Sequence, residues 1–255
     1  MQSIGRGGTK DPGFCAITRW HRSCQFHSRR RDSVVASVRR KVGNVRSTRK
    51  PSHQPRVRLG SDRDSARPRG SRPLGTAAFA LTTFVLSTFN AGLMPTTLEP
   101  VVLGLALFYG GIVQVFAGLL EFFKENTLGG VAFCSYGGFW LALWYLSSHT
   151  EFSATITPSD KGHAVGLFLL GWTIFTAYMT VCVARTNNAL LITFVFLLAA
   201  FVCLTIGDFA GSTLATRLGG WTGFGAAAGA WYCSFAATMN ATAGRAIVPV
   251  GPRSR

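Results

Sequence analysis

After residue 72 the chain alternates between long apolar stretches and short polar loops. Each of six stretches runs for roughly 20 residues, the length that an α-helix needs to cross the hydrocarbon core of a bilayer. The pattern therefore predicts an all-α integral membrane protein whose six transmembrane helices form one bundle per protomer. The predicted spans are 74–93, 100–123, 128–146, 163–184, 189–206 and 221–239.

The second stretch has a glycine at every seventh position, and a larger side chain follows three residues after each glycine. The six positions are Gly104, Leu107, Gly111, Gln114, Gly118 and Glu121. They share one face of a helix, where the glycines allow another helix to approach closely. Gln114 and Glu121 are polar groups at membrane depth, which are costly and typical of a bundle interior or a water-filled path. Transport is therefore the first functional hypothesis.

Two interpretations remain open for each of these polar residues. Gln114 either hydrogen-bonds to a neighbouring helix or lines a path for a solute. Glu121 lies near the end of the predicted span, where it either pairs with Lys124 or, if it is buried, could carry a proton.

The first and last spans carry related patterns. One face of the first span is formed by Phe79, Thr83, Leu86 and Asn90. Thr83 and Asn90 either hydrogen-bond to another helix or line a path. On the sixth span, Gly225 and Gly229 form a pair of small residues four apart, which favours tight helix packing.

Nearly all of the formal charge of +16 lies in one terminal segment. Residues 1–72 hold 19 Lys and Arg against 4 Asp and Glu, whereas residues 73–255 hold 7 against 6. The sequence thus divides into a basic, disordered tail at 1–72, a transmembrane domain at 73–251 and a short C-terminal tail at 252–255. The basic tail is interpreted as a mitochondrial transit peptide, as a segment held against anionic lipid, or as a mis-assigned start or fusion, and the last is favoured.

The remaining basic residues predict the orientation of the six spans. Two lie on one side of the predicted membrane, at Lys161 and Arg217. Five lie on the side that also holds both termini, at Lys124, Arg185, Arg245, Arg253 and Arg255. Because Lys and Arg are enriched on the cytoplasmic side, both termini are predicted to be cytoplasmic.

The sequence contains no motif typical of hydrolysis, redox chemistry or nucleotide binding. Its six cysteines form no CxxC pair and its five histidines are scattered. Neither a zinc site nor a disulfide framework is predicted. The protein is therefore expected not to be an enzyme and to hold no metal or cofactor.

Two neighbouring segments carry a specific pattern, LALFYGGIVQVFAGLLEF in the second span and NTLGGVAFCSYGGFWL at the start of the third. Further matching strings are PLGTAAFALTTF at 73–84, GWTGFGAAAGAWY at 220–232 and GRAIVPVG at 244–251. Together they resemble the acetate uptake transporter family, which includes the succinate–acetate permeases of bacteria and the acetate and ammonia-export proteins of fungi. The resemblance spans residues 73–251.

The signature of that family, NPAPLG, precedes its first span. The corresponding stretch here is GSRPLG at 70–75, so Pro73, Leu74 and Gly75 are kept and the Asn-Pro-Ala part is replaced. The family also has a hydrophobic constriction formed by a Phe, a Tyr and a Leu. The resemblance places these at Phe79, Tyr136 and Leu197, with Gln114 as a nearby polar contact.

The resemblance implies transport of acetate and related small carboxylates such as succinate, through a channel or a proton-coupled symporter. It also implies a homohexamer in which each protomer has its own pore. The expected location is the inner or plasma membrane, and the expected partners are acetate, H⁺ and the lipid bilayer. No nucleic acid is expected to bind the folded part.

Two alternatives remain open. The first is ammonium export on the same scaffold, for which Glu121 and Asp208 are the only candidate carboxylates in or beside the spans. The second is a membrane scaffold or sensor that transports nothing, which the altered signature favours. Uptake of labelled acetate separates the second alternative from a transporter.

Overall fold

The computed structural model describes residues 70–150 and 155–253. The predicted basic tail therefore lies outside the described residues, except for its last three positions. Six long helices, labelled α1 to α6, make up most of the described chain. They are α1 Ser71–Asn90, α2 Thr96–Phe123, α3 Thr127–His149, α4 Pro158–Val183, α5 Asn188–Ala210 and α6 Thr213–Thr242.

Each predicted span overlaps one of these helices, so the all-α prediction is confirmed. The largest differences are at the starts of α4 and α6, which begin several residues before the predicted spans. Both early starts have a capping side chain: the oxygen of Thr157 accepts a hydrogen bond from the Asp160 amide, and that of Ser212 accepts one from the Ala215 amide. Such caps satisfy amides of the first turn that the helix itself leaves unpaired.

Three of the helices, α2, α4 and α5, are long and apolar enough to cross a membrane by length and composition. Crossing by all six helices stays a prediction. Large apolar side chains are exposed on these three helices, among them Phe108, Phe116, Leu167, Ile174, Val181 and Ile192. Apolar surface this extensive is unfavourable in water and suits contact with lipid. The structure thus supports an integral membrane protein.

Helix α2 changes its winding near the middle of the bundle. It is α-helical over Val101–Gly104, π-helical over Leu105–Val113 and α-helical again over Gln114–Phe123. Because a π-helix has wider turns than an α-helix, residues before it are rotated away from the face that residues after it share. Gly104 accordingly lies exposed, and a Cβ added there would meet no atom within 4 Å. Its role in packing stays a prediction.

Helices α2 and α3 approach closely because glycines from both interleave. A Cβ added at Gly118 would lie 2.5 Å from the Sγ of Cys134 and 2.6 Å from its amide nitrogen. A Cβ added at Gly137 would lie 2.9 Å from the amide nitrogen of Val115 and 3.1 Å from the carbonyl oxygen of Gly111. Separations below 3 Å leave no room for a side chain, so the contact requires glycine.

The other glycines predicted to pack also lie at close contacts between helices. A Cβ added at Gly111 would lie 2.6 Å from Leu141 of α3, and one at Gly225 would lie 2.5 Å from the Phe196 ring of α5. Gly229 faces Thr193 of α5 in the same way. Helix α6 therefore packs tightly along α5.

Helix α6 also packs against α1, and α5 packs against α4. Helices α3 and α4 instead meet through aromatic side chains. Phe139 stacks on Phe168 with 5.8 Å between ring centroids, and it meets Trp172 edge-on at 5.3 Å. The rings hold the two helices apart, which leaves room for internal cavities between the six helices.

The interleaved glycines predict a matched pair of stability changes. Gly118→Ala should destabilise the protein by roughly 1–3 kcal/mol, since its Cβ would collide with the backbone of α3. Gly138→Ala is the control, because a Cβ at that position meets nothing within 4 Å and alanine favours a helix. Thermal unfolding of both purified variants in detergent measures the difference, and equal melting temperatures would contradict the close contact.

Candidate functional site

A cavity of about 310 Å³ lies at the end of the bundle where the described chain begins and ends. Its wall includes Arg72 near the start of α1 and Val250 near the C-terminus. It runs inward along α1 past Thr76 to Phe79, and along α5 from Leu190 to Leu197. This cavity is large enough for a small organic solute and its water.

A second cavity, of about 40 Å³, continues along the same helices. All four residues of the predicted face of the first span, Phe79, Thr83, Leu86 and Asn90, line it. Along α5 its wall runs from Leu197 to Leu204. The two cavities together follow α1 from Arg72 to Asn90, which is about 27 Å at the rise of an α-helix and close to the thickness of a hydrocarbon core.

The cavities meet at Phe79 and Leu197, since both residues line both cavities. Tyr136 lines the large cavity at this level, and its ring centroid is 5.9 Å from that of Phe79. Phe79 is 7% exposed, Leu197 is 5% exposed and Tyr136 is 3% exposed. The structure thus brings together the Phe, the Leu and the Tyr that the resemblance assigned to a constriction, at the junction of two cavities.

The position of Tyr136 is fixed by a hydrogen bond and by its ring contacts. Its hydroxyl lies 3.0 Å from the hydroxyl of Thr176 on α4. Its ring meets Phe175 edge-on at 5.2 Å and Phe194 at 6.0 Å. The hydroxyl therefore has the partner that a buried tyrosine requires, and the ring is packed on several sides.

Gln114 is 1% exposed and lines the large cavity, yet neither its Oε1 nor its Nε2 has a hydrogen-bond partner among the described residues. The hydroxyl of Thr83 and the indole N–H of Trp140, which line the small cavity, also have none in the part of the chain that the structure describes. An unpaired buried polar atom costs free energy, so these groups favour a bound polar solute or water in the cavities.

Glu121 is 1% exposed, and the structure places it beside the large cavity rather than among the described residues of its wall. Its carboxylate accepts hydrogen bonds from Ser71, from the Nε of Arg72 at 3.1 Å and from Asn126. The Nζ of Lys124 lies 3.8 Å away. The predicted pairing with Lys124 is therefore present, within a wider network that satisfies the buried charge.

The retained part of the signature anchors α1. The carbonyl of Pro73 accepts a hydrogen bond of 2.7 Å from the Ser234 hydroxyl of α6. A Cβ added at Gly75 would lie 2.8 Å from the Phe133 ring of α3, while Leu74 is largely exposed. The start of α1 is thus fixed against two other helices, next to the large cavity.

Several residues of the cavity wall were not predicted from the sequence. Asn126, Asn187 and Asn240 lie just outside predicted spans, and each bonds a backbone amide: that of Gly129, of Leu190 and of Ile247 respectively. The available signal was an asparagine at the start of a predicted span, which is typical of a helix N-cap. Asn240 holds the C-terminal segment instead and carried no such signal.

The helices and the cavities together describe a helical membrane protein with two cavities that follow one another along α1. Residues 52–253 match the GPR1/FUN34/yaaH family, and the chain belongs to this family. The family match begins within the predicted tail, about 20 residues before α1.

Relatives of two kinds resemble the chain. The succinate-acetate/proton symporter SatP of Escherichia coli (strain K12) is 36% identical over 154 residues, which cover 60% of this chain and 81% of the symporter. The ammonia transport outward protein 2 of Saccharomyces cerevisiae is 42% identical over 155 residues, which cover 58% of this chain and 53% of that protein. The chain thus spans about half the length of its yeast relative.

A solved structure is also similar to the fold. The structure of the bacterial acetate channel SatP aligns with a TM-score of 0.65 and 35% sequence identity. The alignment covers 71% of this chain and 98% of the channel.

Two buried threonines differ in their hydrogen bonds, so replacing each with valine should affect the free energy of unfolding differently. Thr176→Val leaves the Tyr136 hydroxyl without its partner and should lower the free energy of unfolding by about 1 kcal/mol. Thr83→Val removes a hydroxyl that has no partner among the residues that the structure describes, and it should be neutral or stabilising. Melting temperatures in detergent test this, and a loss of stability in Thr83→Val as large as in Thr176→Val would contradict it.

Proposed function

We propose that this protein transports acetate and related small carboxylates, such as succinate, along the two cavities of each protomer. The observation that carries the proposal is the junction of the cavities at Phe79 and Leu197, beside Tyr136. A short constriction of two rings and a leucine admits a small solute and excludes a continuous column of water. The similar proteins described as a symporter and as an acetate channel support this solute class.

In this proposal Phe79, Tyr136 and Leu197 form the constriction. Gln114 contacts the solute on the large-cavity side, and Thr83 and Asn90 do so on the other side. The polar atoms of these side chains would replace part of the water that a carboxylate loses. Glu121 acts beside this path, through Arg72 and Asn126.

The charges around the large cavity favour a carboxylate over ammonium. Arg72 is the one charged side chain among the described residues of its wall, and no Asp or Glu belongs to that set. A cation path would be expected to have acidic rather than basic side chains along its wall. Ammonium export remains the second candidate because the yeast relative, at 42% identity, is named for ammonia transport.

A bare carboxylate anion enters an apolar constriction only at a large cost, because its charge loses its water. We therefore propose that acetate crosses together with a proton, either as acetic acid or with H⁺ carried alongside. The hydroxyl pair of Tyr136 and Thr176 lies at the constriction and offers hydrogen bonds to the acid.

The placement in the membrane is part of the proposal. All six helices cross an inner or plasma membrane, and the large cavity faces the cytoplasm together with both termini, because Lys124, Arg185, Arg245 and Arg253 lie at that end. Residues 73–251 form the transport domain, 1–72 a basic tail and 252–255 a C-terminal tail. Protomers assemble as hexamers, and the exposed face containing Gly104 is available for contacts between copies.

Acetate uptake into proteoliposomes tests the function and the constriction together. The full chain should take up ¹⁴C-acetate, faster when the inside is alkaline, and Phe79→Ala should raise the flux severalfold because it joins the cavities. Phe84→Ala is the matched control, since Phe84 lies on the same helix but packs outward against Phe224 and Trp231. It should transport at the normal rate.

Three results would contradict parts of the proposal. Equal uptake by Phe79→Ala and Phe84→Ala would reject the constriction. Release of ammonium without acetate uptake would favour the second candidate. No transport of either solute by well-folded protein would favour a scaffold or sensor.

A further inference from the structure

Arg72 is the one charged side chain among the described residues that line the large cavity. It stands where the family signature has alanine, in the replaced half of that signature. Its side chain is 65% exposed, and its Nε donates to Glu121 at 3.1 Å. The two terminal nitrogens of the guanidinium have no hydrogen bond to the described chain. Among the described residues, Arg72 is therefore held through one nitrogen, and its other donors have no partner there.

The charges next to Arg72 leave this region positive. The buried carboxylate of Glu121 has two cationic neighbours, Arg72 and Lys124. These three side chains together carry a net charge of +1. The described residues of the wall include no acidic residue, and Arg72 is the one charged side chain among them.

Most other polar side chains of the wall are committed to the fold. Asn126 and Asn187 cap helices, and Asn240 holds the C-terminal segment through three hydrogen bonds. Gln114, in contrast, is 1% exposed and has both polar atoms unpaired. Among the described residues of the wall, Arg72 at the mouth and Gln114 deeper in the cavity are thus the strongest candidates to bind a solute.

We propose that Arg72, positioned by Glu121, is a binding residue that recruits the carboxylate group of the substrate at the mouth of the large cavity. Guanidinium donors match the geometry of a carboxylate, and the contact lies where water still reaches the anion. The solute then moves inward to Gln114 as it loses water. This inference deepens the proposed function and rests on it for the identity of the solute.

The test compares Arg72→Ala and Arg72→Lys with Arg185→Ala. Arg185 is an exposed arginine at the same end of the bundle and lies outside the described wall of the cavity, so its removal changes the net charge equally. Binding of ¹³C-acetate to the purified full chain in nanodiscs is followed by saturation-transfer NMR at low and high salt. Uptake of ¹⁴C-acetate is measured in parallel as a function of acetate concentration.

Arg72→Ala should weaken acetate binding and raise the KM for uptake on the order of tenfold, the effect of one charge-assisted contact, with a smaller effect on the maximal rate. Arg72→Lys should recover part of the loss because it keeps the charge. Arg185→Ala should bind as the unaltered protein does. Salt should weaken binding to the unaltered protein more than binding to Arg72→Ala.

Equal acetate binding by Arg72→Ala and Arg185→Ala would overturn the inference, and so would an absence of acetate binding by the unaltered protein. Uptake tests the proposed function separately. If acetate binds through Arg72 but is not transported, the binding role of Arg72 stands and the transport function is rejected. Glu121 keeps Ser71, Asn126 and Lys124 as partners in Arg72→Ala, so the variant should fold. An unchanged melting temperature of Arg72→Ala would confirm that it folds. A direct contact would be contradicted if Arg72→Ala lost binding tenfold together with a lowered melting temperature, and Arg72→Lys did not recover the binding.

Discussion

The apolar surroundings of the bundle restrict every polar side chain within it to two stable situations. A polar group must either bond to another part of the protein or face an internal cavity, because lipid offers no hydrogen bonds. Glu121 is in the first situation, with four partners around its carboxylate. Gln114 is in the second, buried and unpaired at the cavity wall. The contrast between these two residues of one helix separates polar groups that hold the fold from polar groups that face a cavity.

Close packing between some helices and wider spacing between others leave room for the two cavities. Interleaved glycines bring α2 against α3, and small residues bring α6 against α5. Aromatic rings hold α3 away from α4, and Tyr136 projects from that interface toward Phe79. Aromatic side chains of α3 therefore both separate this helix from α4 and lie at the junction of the two cavities.

The start of α1 links the fold to the electrostatics of the large cavity. Pro73 and Gly75 fix this helix against α6 and α3, which places Arg72 at the cavity mouth. Ser71 and Arg72, which replace signature residues, both bond to Glu121. The replaced half of the signature is therefore part of an internal network, and it changes the charge at the mouth without disrupting the attachment of α1.

The sequence by itself determined the helical class, the position of each helix and the face of α1 that lines the small cavity, because apolar length and helical periodicity are local properties. The family resemblance supplied Phe79, Tyr136 and Leu197, which are far apart in the chain, and their meeting at one level is decided by packing. Only the tertiary structure decided that Gly104 leaves the predicted face, since the π-helical winding that follows it is not encoded in a simple repeat. It also decided that Glu121 is paired while Gln114 is not, because hydrogen bonds between helices depend on which side chains the fold brings within reach.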